Sequence, residues 1–322
     1  MIEDENLKSI RNKHLSEILD MLRRNEACSL AKLAENTDSG LTTVKKCVMQ
    51  MTEENMVLEG DIAPSTGGRK ARQYLINKDY QYFLFLIVDN NGLLCRVYNF
   101  RYSLCDEYSV RFEMNEYLSA VHKIIDSVKS KYNLGTVCLS VPCVIKNGTV
   151  MSWYYNRSLE GYNIKQDIEK KYGLNVIVQN DMKLTVTGER RQGIKDIVTI
   201  QFGHNGIGLG AMINGHLVEG CVGFAGEVGF TNDLQKNIMG VSYPAKIVRN
   251  AIIFLNPELI VFYKSQRQNN FEQIFHTAVR GLPKYAIPKI QVSDSYIGSI
   301  NCGFKALIDK YGYFRRSEDE NL

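Results

Sequence analysis

No apolar run in these 322 residues approaches the roughly 18 that a membrane-spanning helix needs, which leaves an ordinary helical membrane span without a candidate. Met1 to Asn6 holds three carboxylates and no cation, the reverse of a secretory signal, so a cytoplasmic location is expected. The eight cysteines (28, 47, 95, 105, 138, 143, 221 and 302) include no CxxC pair and no histidine at ligand spacing. They are expected as buried small apolar side chains rather than disulfides or a zinc site, and no metal is expected. A strong charge of one sign is missing too: the net charge is only +4, so any nucleic-acid argument rests on where the cations sit. What remains, 44% apolar and 23% charged, is ordinary globular material, long enough for two or three domains with cores.

Leu7, Ile10, Leu15, Ile18, Leu19 and Leu22 recur at helical spacing, predicting an amphipathic helix that ends near Arg23-Arg24. A short helix at 29–34, a turn at 36–40 and a longer helix over 41–55 follow, with Val44, Val48 and Met51 facing inward. This is the helix-turn-helix layout. The outward face of the third helix offers Thr42, Thr43, Lys45, Lys46 and Gln50 to phosphates or base edges. A strand from Val57, a glycine-basic loop with Arg69, Lys70 and Arg72, and a strand at 73–76 then form a wing able to grip phosphates or a minor groove. Over residues 1–80, twelve Lys and Arg face thirteen Asp and Glu, so clustering rather than sum carries this reading. A small helical protein-interaction domain is the alternative.

From Tyr82 the periodicity becomes that of strands: 83–89, 93–100, about 103–112 and 137–142, with a helix over 118–128 and a hairpin at Asn147-Gly148. Further strands are predicted at 197–202, 208–213 and 258–262, and helices at 245–255, 270–280 and 297–311. No internal repeat is visible. Glycines at 203, 206, 208 and 210 follow one apolar strand, and Asn214-Gly215 closes the pattern. Such glycines either let backbone amides approach phosphate or sugar oxygens or simply permit close packing against a neighbour.

Asn180-Asp181, Gly206-Ile207-Gly208-Leu209-Gly210 and Ala225-Gly226-Glu227-Val228-Gly229, in this order, resemble the ROK family of sugar kinases and transcriptional repressors. With the N-terminal features the resemblance covers nearly the whole chain. It implies an α/β fold: a winged helix-turn-helix (1–78), then a two-lobed actin-like, ribonuclease H-like domain (79–180 and 181–314). The second lobe is shortened, its last helix could pack back on the first lobe, and a disordered tail (315–322) follows. The family's kinases hold ATP phosphates on Asp-x-Gly-Gly-Thr and Gly-Thr-Gly-x-Gly turns. Here the first reads Asp89-Asn90-Asn91-Gly92-Leu93 and the second His204-Asn205-Gly206-Ile207-Gly208, and bulky Phe262-Tyr263-Lys264 stand where a further glycine pair is expected. Phosphoryl transfer depends on positioning and charge stabilisation, so an inactive enzyme without cofactor is expected.

Asp181 occupies the place of the kinases' general base; Asn180, Asp181 and Glu227 then form a polar cluster suited to a sugar-like effector. The structural alternative has Asp181 capping a helix and Glu227 paired with a cation. Phe230 replaces the family's zinc-ligating histidine, no cysteine follows through Gly240, and the interval to Asn256-Pro257-Glu258 is short. The expected protein is a DNA-binding regulator, in particular a repressor of carbohydrate-related genes. It would act as a homodimer or higher homo-oligomer on double-stranded DNA, with a possible sugar effector and no membrane partner. An active sugar kinase and a ligand-free dimerisation scaffold are the competing readings.

Overall fold

A computed structural model describes residues 14–37, 39–62, 71–89, 92–191, 193–203, 206–230, 239–265 and 268–311. Helix α1, described over 14–24, turns Leu15, Ile18, Leu19 and Leu22 inward at helical spacing. Strand β1 (Cys28–Ser29) leads into α2 (Leu30–Asn36), capped where Ser29 Oγ accepts the Lys32 amide at 3.3 Å. Helix α3 (Leu41–Glu53) buries Val44, Cys47, Val48 and Met51, its hydrophobic stripe. Strands β2 (Val57–Ile62) and β3 (Arg72–Ile76) pair antiparallel, and β1 adds to β3, giving the order β1-β3-β2. The basic loop predicted to carry Arg69 and Lys70 lies outside the described residues, as does the charged tail.

The next sheet contains β4 (Tyr82–Asp89), β5 (Gly92–Tyr98), β6 (Leu104–Val110), β7 (Leu134–Val141) and β10 (Asn175–Asn180), in the order β10-β7-β4-β5-β6. A small hairpin, β8 (Val144–Lys146) and β9 (Thr149–Ser152), turns at Asn147 and Gly148, both at positive φ as a tight turn requires. Alternation along β4 serves two faces. Phe83, Phe85 and Ile87 join one core, while Leu84 and Leu86 pack under α4 (Tyr117–Lys129) and α5 (Ile164–Tyr172).

The last sheet holds β11 (Ile197–Gly203), β12 (Gly206–Ile213), β13 (His216–Leu217), β14 (Leu259–Tyr263) and β15 (Lys289–Ser293), in the order β13-β12-β11-β14-β15. Its antiparallel hairpin continued by parallel strands repeats the plan of the preceding sheet. The two sheets thus share one strand order and sense, although no repeat is visible in the residues. Helices α7 (Ser242–Leu255) and α8 (Phe271–Val279) cover one face. The sequence reading missed β1, α5 and β15.

Helices α6 (Asp181–Gly188) and α9 (Tyr296–Tyr311) pack against each other. A Cβ on Gly188 would collide with the Ser299 carbonyl, and one on Gly303 with the Leu184 carbonyl, so glycine on each helix permits backbone approach. Ile300, Phe304, Leu307 and Ile308 of α9 share one continuous core with Leu15, Ile18, Leu19 and Leu22 of α1 and with Phe83 and Phe85 of β4. The Phe85 and Phe304 rings lie 4.9 Å apart. Five cysteines are buried as expected, whereas Cys105, Cys221 and Cys302 are exposed.

Gly303→Ala is expected to cost about 1–3 kcal/mol through overpacking against α6, read as a lower urea midpoint at unchanged slope. A midpoint equal to wild type would contradict the close approach.

Candidate functional site

The site grows from the junction of β10 and α6. Asn180 leaves the strand in extended conformation; its Oδ1 accepts the Lys183 amide at 3.2 Å and its Nδ2 donates to the Cys143 carbonyl at 3.1 Å. Asn180 is therefore the helix cap, 7% exposed, and both ends of its amide serve the fold. This corrects the alternative that Asp181 is the cap. Asp181 is the first helical residue. Its Oδ1 accepts the Met182 amide at 2.8 Å and its Oδ2 accepts the Tyr296 hydroxyl, also at 2.8 Å. Burial raises its carboxyl above the usual range, opposed by the Tyr296 hydrogen bond.

Two residues on, Lys183 is only 1% exposed, and its Nζ donates to the Gly223 carbonyl. Burial lowers its pKa, against the pull of Glu219 and Glu227. Across the cleft, Glu219 accepts from Gln179 Nε2 at 3.1 Å and pairs with Lys146 Nζ at 3.3 Å. Burial pushes Glu219 up, but the Gln179 hydrogen bond and Lys146 together hold it below its ordinary value. Glu227 differs. Burial and the charge of Asp181 raise it, opposed by Lys183, and its carboxylate makes no hydrogen bond or ion pair among the described residues. The alternative Glu227–cation pair is not formed among the described residues. Lys183 and Glu219 escaped the sequence reading, although a lysine two positions after Asp181 was a visible oddity.

Several glycines prove to be packing devices. A Cβ on Gly208 would press into the Met182 side chain, and one on Gly210 would collide with the Met182 carbonyl. Gly208 lies within β12 opposite Gln201, as the strand predicted from 208 requires. Gly206, at φ +130°, faces open space. Gly223 and Gly226, both at positive φ, approach the Ile145 and Leu209 carbonyls, so loop 219–227 is drawn over β8 and β12. Gly92 pairs with Asp89 and lies under the Val110 carbonyl; residues 90, 91, 204 and 205 of both turns lie outside the described residues. Leu93, Phe262 and Tyr263 are wholly buried.

On α3, Thr42, Lys45 and Lys46 are exposed and Thr43 is half-buried. Gln50 Nε2 donates to Glu54 Oε1 at 2.8 Å. Arg72 belongs to β3 and pairs with Glu59 on β2, which corrects its placement in the loop. A groove of about 560 Å³ lies elsewhere, between β6 and α4, lined by charges of both signs including Asp106, Arg111, Glu116 and Lys123. It holds no cluster of convergent buried polar groups comparable to the α6 site.

Residues 104–240 match the sequence profile of the ROK family. The xylose repressor of Bacillus subtilis is 27% identical over 224 residues, covering 66% of this chain and 58% of that protein. The chain thus spans under two thirds of that relative's length. Among solved structures, a ROK family transcriptional regulator, homolog of the E. coli MLC protein, is 14% identical with a TM-score of 0.70, covering 94% of this chain and 98% of that one. A ROK family glucokinase from Streptomyces griseus, in complex with glucose and AMPPNP, is 12% identical with a TM-score of 0.54, covering 72% and 100%. At these identities the structural likenesses establish the fold: α/β, with the mixed sheets of the ROK proteins.

A carboxyl raised in the folded state binds its proton more tightly there than in the unfolded chain, so its contribution to stability is lost as pH rises from its ordinary value toward its folded value. For Glu227, ordinarily near 4.5, this predicts that Glu227→Gln becomes more stable relative to wild type as pH rises above that ordinary value. Denaturant midpoints of both proteins check it, and a difference independent of pH would contradict the raised carboxyl.

Proposed function

We propose, from the premise that this chain carries a ROK family domain over residues 104–240, that the protein is a sugar-responsive, DNA-binding transcriptional repressor whose kinase-like body does not catalyse phosphoryl transfer. The observation that carries this reading is the state of Asp181. Both its oxygens accept hydrogen bonds within the protein, so the carboxylate is held in place as an acceptor, and without a bound nucleotide it takes a hydrogen bond from a sugar hydroxyl rather than its proton. The wholly buried Leu93, Phe262 and Tyr263 support it as well, because they stand as core side chains where nucleotide-holding turns are expected in kinases.

On this reading 1–78 is a winged helix-turn-helix, and 79–180 and 181–314 are the two lobes. The exposed Thr42, Lys45 and Lys46 of α3 face the DNA, with Thr43, Gln50, Arg69, Lys70 and Arg72 contributing further contacts. A homodimer brings two such helices to two half-sites, since one small module buries too little for tight operator binding. The effector is a neutral polyol, for which D-xylose is the first candidate given the names of the curated relatives. A hydroxyl between Lys183 Nζ and Glu227 would accept from the ammonium and donate to the carboxylate. Lys183 therefore joins the sequence-derived set of Asn180, Asp181 and Glu227.

A thermal-shift panel of pentoses and hexoses tests the effector: one member raises the melting temperature with concentration, the folded state gaining about 2.7 kcal/mol at 100 times its dissociation constant. Glu227→Gln and Asp181→Ala weaken that shift by about tenfold or more in concentration, as expected for loss of a charged hydrogen bond. No response to any sugar, or an unaltered one in both variants, refutes the pocket.

DNA binding by the full chain is expected to fall by orders of magnitude between about 50 and about 200 mM salt, as counterion release dictates. Lys45→Ala should weaken binding uniformly and lower the salt slope by about one. Binding that ignores salt would refute the α3 interface, and sugar-dependent ATP hydrolysis would refute the inactive body.

A further inference from the structure

Helix α9 touches the candidate site at one end and the N-terminal helices at the other. At its first residue, the Tyr296 hydroxyl donates to Asp181 Oδ2 at 2.8 Å, and the Tyr296 ring packs edge-on against Tyr263 at 5.3 Å. Near its last turn, Asp309 Oδ1 accepts from Arg23 of α1 at 3.1 Å and from the Tyr102 hydroxyl at 3.0 Å. The Arg23 side chain is only 6% exposed. Its guanidinium lies 4.0 Å from the Tyr102 ring centroid, and its Nε donates to the Phe100 carbonyl at 3.2 Å. Arg23 is thus held by a charge, a ring face and a carbonyl, so α1 cannot move independently of α9 without breaking a largely buried ion pair.

Between those ends lies the closest helix contact. Gly188 against Ser299 and Gly303 against Leu184 bring the α6 and α9 backbones together, and Ser299 Oγ donates to Glu189 Oε1 at 2.7 Å. This contact lies between Tyr296 and Asp309, which are about 20 Å apart along the helix axis at 1.5 Å per residue. Two ends held by polar contacts and a middle held by backbone packing describe a lever with its fulcrum at 299–303.

We infer that Tyr296 is the positioning residue through which occupancy of the Asp181 site is read, and that α9 carries the reading to Arg23 and the N-terminal helices. A polyol hydroxyl that donates to Asp181 Oδ2 competes with the Tyr296 hydroxyl for that oxygen. Release of Tyr296 frees the first turn of α9, the helix tilts on its glycine contact, and the Asp309–Arg23 end shifts α1 against the rest of the chain. Such coupling requires the ligand to favour the released arrangement, and the competition for one oxygen supplies that difference. The inference rests on the effector site proposed above, but its first test needs no effector.

Hydrogen exchange by mass spectrometry on the full chain decides it in two arms. Without ligand, Tyr296→Phe removes the hydroxyl and keeps the ring. Exchange is expected to rise several-fold in 14–24 and 296–311 while β4 and β7 stay protected. Unchanged exchange in 14–24, or a rise everywhere including β4 and β7, overturns the lever. With D-xylose, wild type is expected to gain protection in 181–184 and 219–227 and to exchange faster in 14–24; Asp309→Asn retains the first change and loses the second. Persistence of the 14–24 response in Asp309→Asn overturns the inference. D-xylose without effect at 181–184 or 219–227 counts against D-xylose as the effector and leaves the lever to be decided by the ligand-free arm.

Discussion

The contact between α6 and α9 sets the terms for everything around it. Two helices carrying ordinary side chains pack with axes about 8–10 Å apart; here Gly188 and Gly303 let each backbone reach a carbonyl of the other helix. Gly208 and Gly210 do the same for β12 against Met182. Helix α6 is thereby gripped on two sides by backbone that no larger residue would tolerate. Its first turn, which bears Asp181 and Lys183, is held in place by packing rather than by ligand. Side chains placed so tightly have few alternative arrangements, which is what makes two discrete states, rather than a continuum, the natural response to a change at Asp181.

The electrostatics of the cleft follow from that placement. Lys183 is buried because α6 is, and the ammonium takes the Gly223 carbonyl as its acceptor. Glu219 is the comfortable member of the cluster, satisfied by Gln179 and Lys146. Glu227 is the uncomfortable one, raised by burial and by Asp181 without a direct partner. The half-buried Glu227 carboxylate thus feels the charge of the buried Lys183 ammonium without a direct bond to it among the described residues.

Much of the architecture was legible in the residues. The stripe Leu15, Ile18, Leu19, Leu22 and the stripe Val44, Val48, Met51 demand buried helix faces whatever surrounds them. Asn147-Gly148 and Asn214-Gly215 announce their turns because few other residues accept positive φ. Strand β15 was missed because it is an edge strand whose faces remain partly exposed, with Lys289, Gln291 and Ser293 breaking the apolar pattern. Helix α5 had signals, Ile164 and Ile168 one turn apart and Gly173 in the left-handed region after its end, yet it is too polar for hydrophobic periodicity to stand out. The common plan of the two large sheets shows in the residues only as a similar succession of strands, since hydrogen-bonding order leaves little mark on side-chain identity.

The sequence by itself determined the elements, their order and the polar motifs at Asn180-Asp181 and Glu227, because local backbone preferences and apolar spacing act over a few residues. Tertiary structure alone decided what those motifs do. Tyr296 meets Asp181 across 115 residues and Asp309 meets Arg23 across 286. The Asn180 cap is local, reaching the Lys183 amide three residues on, but Lys183 became a buried cation only when α6 was pressed between β12 and α9. Such assignments depend on which groups are left facing one another once the chain has closed, and no short-range rule carries that information.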